Sequence, residues 1–69
     1  MRLVEFAKRG KTKIKENEEI LFYTDHGGFE KLLEKLERTF KNRKHELLRM
    51  GSYRPEGQKT FKYISMKFY

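Results

Sequence analysis

Apolar positions along this chain change their period several times, and each change predicts an element. Val4 and Phe6 alternate with polar neighbours in residues 2–8, which reads as a strand. Arg9-Gly10-Lys11 reads as a reversal, because glycine can take the positive φ of a tight turn. Residues 12–16 then return as a second strand with Ile14 inward, and Asn17-Glu18-Glu19 breaks the pattern. Residues 20–24 hold the unbroken run Ile20-Leu21-Phe22-Tyr23, which suits a strand covered on both faces; residues 12–24 could equally form one long bulged strand.

The period then lengthens. Phe29, Leu32, Leu33, Leu36 and Phe40 fall on one stripe of a helix over residues 28–44, with Asp25 as its N-cap. Acids lead and bases trail along it, as the helix dipole favours, and Glu34 with Arg38 and Glu37 with Lys41 are i,i+4 pairs. Residues 46–53 read as a strand, Arg54-Pro55-Glu56-Gly57-Gln58 as a hairpin turn with Pro55 at its first corner, and residues 59–68 as the last strand. In that strand Phe61 and Tyr63 point one way and Ile64, Met66 and Phe68 the other, so both of its faces need cover. Phe61 and Phe68 are expected in the core, with Tyr53 and Tyr63 partly exposed.

The predicted fold is therefore a single α+β domain over residues 1–69. One amphipathic helix packs on a mostly antiparallel sheet of four or five strands, in the order β-β-(β)-α-β-β. The opening hairpin followed by a helix resembles the β-grasp arrangement, with Gly10-Lys11-Thr12 where ubiquitin-like domains make their first turn. That resemblance implies a fold and carries no function.

Composition narrows the chemistry. No cysteine is present among the 69 residues, which excludes a disulfide framework and cysteine-zinc sites and favours a cytoplasmic setting. No apolar run is long enough to span a membrane, and no apolar stretch near the N-terminus resembles a signal peptide. Gly10-Lys11-Thr12 ends like a phosphate-binding loop, but Glu5 stands where that loop needs its first glycine. His26 and His45 are the only histidines and have no metal-ligand spacing. His45 with Tyr53 and Arg54 is the one constellation that could serve a small ribonuclease. The expectation is a non-enzymatic protein without metal or cofactor.

Charge carries the remaining signal. The formal net charge is +7, from 17 Lys/Arg and 10 Asp/Glu, and it is sorted into a basic start, an acidic middle over residues 16–37 and a basic end. Lys8, Arg9, Lys11, Lys13 and Lys15 make the first hairpin basic. Arg49, Arg54, Lys59 and Lys62 surround Tyr53 and Tyr63 in the last one. Cations interleaved with rings suit nucleic acid, because phosphates meet Lys and Arg while bases stack on aromatics. The primary expectation is thus an accessory protein that binds DNA or RNA through these eleven residues. The second is a modulator of an acidic host protein, since the chain looks like small phage- or mobile-element-encoded proteins in size and charge. The two apolar faces of the last strand also predict a homodimer.

Overall fold

The computed structural model describes all 69 residues, Met1–Tyr69. Strand β1 (Arg2–Glu5) runs into a 3-10 helix (Phe6–Lys11), followed by β2 (Glu18–Thr24), α1 (Phe29–Thr39), β3 (His45–Tyr53) and β4 (Phe61–Phe68). The four strands form one mixed sheet in the order β1-β2-β4-β3. The chain is an α+β domain with a single α-helix packed on a sheet, as its periodicity indicates. No helix is long and apolar enough to cross a membrane.

The expected N-terminal hairpin is absent. β1 and β2 are parallel, with Val4 opposite Phe22, so the chain between them is a crossover rather than a turn. A parallel return needs about a dozen residues, and residues 6–17 provide them. Phe6 and Ile14 hold the crossover down by packing against the core from the helix side. Arg43 fastens it with guanidinium hydrogen bonds to the carbonyls of Ile14 and Lys15 (2.8 and 3.0 Å). Gly10 does not take the left-handed conformation; Asn17 does, at φ 55°, immediately before β2. Residues 12–16 are no strand, and the likeness to the β-grasp arrangement falls with the hairpin that supported it.

The helix is shorter than its polar-apolar pattern suggested. It ends at Thr39, and the Phe40 N–H makes the last helical hydrogen bond, to the Leu36 carbonyl (3.0 Å). Phe40 itself is buried, with its ring 4.8 Å from that of Phe68 and 5.7 Å from that of Phe22. Extending the helix to residue 44 would draw His45 away from β4, where it pairs with Phe68. The N-cap is Gly28, preceded by Gly27 at φ 79°, and Asp25 turns instead to the imidazole of His26 (3.1 Å). Glu34 and Arg38 form the expected pair at 2.8 Å, whereas Glu37 binds His45 rather than Lys41.

The core lies between α1 and one sheet face. It comprises Val4, Ile20, Phe22, Leu32, Leu36, Phe40, Ile64, Met66 and Phe68. The other sheet face has no element over it. Leu21 and Tyr23, read as part of a two-sided buried strand, stand half-buried on this open face. Phe61 joins them there instead of entering the core.

Candidate nucleic-acid interface

Strand register assembles the open face row by row. Leu3, Leu21, Ser65 and Arg49 form one row across β1, β2, β4 and β3, and Glu5, Tyr23, Tyr63 and Gly51 form the next. Phe61 and Tyr53 complete the end of the face beside the β3–β4 loop. Four rings therefore gather on neighbouring strands. Tyr23 and Phe61 meet edge-to-face, with centroids 6.2 Å apart, while Tyr53 is 63% exposed. Between these rings and Leu3 and Leu21 lies a groove of about 390 Å³.

Gly51 shapes this surface. A Cβ at that position would overlap the ring and hydroxyl of Tyr63, so the tyrosine lies flat across β3 only because glycine leaves the space. The loop beyond is closed by a hydrogen bond from the Gln58 N–H to the Pro55 carbonyl (3.1 Å). Pro55 is thus the first residue of the tight turn rather than its first corner, and Gly57 at φ 73° supplies the left-handed third position. This loop carries Arg54 and Lys59, which flank Phe61 at the end of the sheet.

The structure divides the cations that the sequence grouped. Arg49, Tyr53 and Tyr63 share the open face, with Arg54 and Lys59 at its rim. Lys62 lies at the same end but on the helix-side face, opposite Thr24 and Ser52. Lys8, Arg9, Lys11, Lys13 and Lys15 belong to the crossover, across the sheet from the rings. Arg9 is already engaged: its guanidinium donates to Thr39 Oγ1 (3.2 Å) and the Phe6 carbonyl (3.1 Å) and stacks 4.2 Å from the Phe6 ring. With Lys31, Lys35 and His26 it borders a separate hollow between the 3-10 helix and α1. No lysine has an ion-pair partner, so the lysine charge is free on both sides of the sheet.

No protein-family model, curated protein or solved structure matches this chain. What the open face can do rests on its own geometry. Tyr23, Leu3 and Leu21 belong to it although the sequence did not single them out, and Phe61 belongs to it although the sequence placed it in the core. Their signal was present in the alternation of Leu21 and Tyr23 with Ile20 and Phe22, which an unbroken apolar run conceals.

The His45, Tyr53 and Arg54 constellation is not assembled. His45 begins β3 and Tyr53 ends it, about 26 Å apart at the rise of an extended strand. His45 instead ties α1 to the sheet. Its Nδ1 faces the Arg43 carbonyl (2.6 Å) and its Nε2 the Glu37 carboxylate (2.8 Å). Burial pulls its pKa down, but these acceptors on both nitrogens outweigh burial and hold it above the usual imidazole value. The charged ring donates to both acceptors, so its stabilisation is complete below the unfolded-state pKa and disappears as pH rises through the raised folded value. The melting temperature is therefore expected to fall between about pH 6 and pH 8. His45→Gln should flatten that slope; an unchanged slope in thermal melts would remove His45 as its source.

Proposed function

We propose that the open sheet face binds single-stranded nucleic acid. The observation that carries this reading is the gathering of Tyr23, Tyr53, Phe61 and Tyr63 on one uncovered face, beside Arg49, Arg54 and Lys59. Unpaired bases stack on such rings at about 1–3 kcal/mol each, while the rim cations meet the phosphates. A duplex keeps its bases stacked inside and cannot use the rings. The net charge of +7 adds long-range attraction for a polyanion from either side of the sheet. A cytoplasmic setting belongs to the same proposal and rests on the cysteine-free composition.

Fluorescence anisotropy with labelled single strands of DNA and RNA tests it. Affinity should decline between about 50 and 200 mM salt as released counterions lose their entropic advantage. Tyr53→Ala and Tyr63→Ala should each weaken binding by about 5- to 150-fold, the equivalent of one lost stacking contact. Replacing Lys8, Lys11 and Lys13 together by Gln should reduce affinity by less than either ring variant. No binding at the lowest salt, or undiminished binding by both tyrosine variants, would overturn the reading.

One observation favours a second reading. Six of the seven residues lining the groove are hydrophobic, which also suits an apolar side chain on an acidic host protein, with the rim cations steering the approach. A saturable protein complex that is lost in Tyr53→Ala, from a chain that binds no oligonucleotide, would select this alternative.

A further inference from the structure

The two edges of the sheet are treated differently. β1 is four residues long, carries Arg2 and Glu5, and passes directly into the 3-10 helix. Such brevity protects an edge from pairing with another chain. β3 is nine residues long, contains neither lysine nor proline, and pairs with β4 alone. Leu47, Leu48 and Met50 on it are 39%, 43% and 46% exposed. Leu47 and Met50 lie opposite Met66 and Ile64, which are buried under α1, so the cover given by the helix stops at β4. A long apolar edge with free backbone donors and acceptors is a template for a further strand.

We propose that β3 is the interface of a homodimer, in which two copies pair antiparallel about a two-fold axis and form one eight-stranded sheet. The strand is self-complementary in this arrangement. An axis between Leu47 and Leu48 sets Leu47 against Leu48 of the second copy and Glu46 against Arg49 of the second copy, twice over. The β-bulge between Leu47 and Arg49 makes this possible. Residues three apart on a regular strand point to opposite faces, but the extra residue returns Arg49 to the face of Glu46, where they oppose Ser65 and Lys67. Glu46 accepts the Tyr69 hydroxyl at Oε2 (2.7 Å), which leaves Oε1 for the arginine. A second copy is the occupant because the two-fold axis sets Glu46 against Arg49 in both directions at once. The backbone pairing uses the edge, the Glu46–Arg49 pairs engage Arg49 at the margin of the open face, and the dimer stands whether or not that face binds nucleic acid.

Sedimentation of the intact chain from micromolar to millimolar concentration should show reversible conversion to twice the 8.5 kDa monomer mass. Glu46→Arg and Arg49→Glu place like charges opposite one another and should each weaken the dimer by at least about tenfold. Mixing these two variants restores both pairs, so the mixture should dimerise as the natural chain does. Circular dichroism of each variant as a monomer checks that it is folded. A natural chain that stays monomeric at millimolar concentration, a dimer that survives in both single variants, or a mixture that fails to recover it would each overturn the proposal.

Discussion

Phe68→Ala removes about 3–5 kcal/mol, a large share of what holds this domain folded. Phe68 is fully buried at the end of β4, where its strand neighbours are Glu18 and His45. Its ring meets Phe40 and Phe22 edge-to-face, at centroid distances of 4.8 and 6.2 Å, and lies 6.0 Å from the imidazole of His45. Removing it empties the junction of helix, sheet and crossover at once. Such truncations cost about 3–5 kcal/mol. A domain of this length has only about 3–10 kcal/mol of total stability. Urea titration followed by far-UV circular dichroism should place the midpoint of this variant far below that of the natural chain. Phe61→Ala, on the open face, should unfold cooperatively with a loss of about 1 kcal/mol. Equal midpoints for the two would contradict the division between core and open face.

Gly51→Ala pushes Tyr63 off β3 and destabilises the domain by about 1 kcal/mol, the worth of the cross-strand contact it breaks. The added methyl group falls on ring and hydroxyl atoms of Tyr63, so the tyrosine must swing aside over the uncovered face. If that overlap is the cause, Tyr63→Ala should remove most of the penalty. The double variant should then unfold at a higher urea concentration than the sum of the two single losses implies. Additive losses would show that Gly51 matters for its backbone instead. The same substitution offers a probe of nucleic-acid binding that leaves the tyrosine in place but moves its ring.

The elements with long, one-sided periodicity could be read from the sequence. The helical stripe of Leu32, Leu36 and Phe40 and the division of β4 into two faces are both present in the structure. What escaped was set by contacts distant in sequence. Val4 and Phe6 alternate as a strand would, yet Phe6 leaves β1 to pack beside the core and turns the chain into a crossover. Nothing local distinguishes a parallel return from a hairpin when Gly10 sits between two short basic segments. The crossover carries its five cations to the helix side of the sheet, where a hairpin would have set them beside the rings. Tyr53 and Tyr63 were legible because they stand among cations on the last two strands, whereas Tyr23 and Phe61 were hidden among residues that looked fit for burial.

One helix over four strands is a mismatch of widths. A helix with its side chains is about 10–12 Å across, and neighbouring strands lie about 4.8 Å apart, so a single helix shelters roughly two of them. The residues under α1, chiefly Phe22, Met66 and Phe68, decide whether the chain folds. Those beyond its reach, such as Leu47, Met50, Tyr53 and Phe61, decide what the folded chain meets. Because the two groups share no side chains, selection can redirect the associations of this protein by changing the unsheltered strip while the folding residues remain as they are.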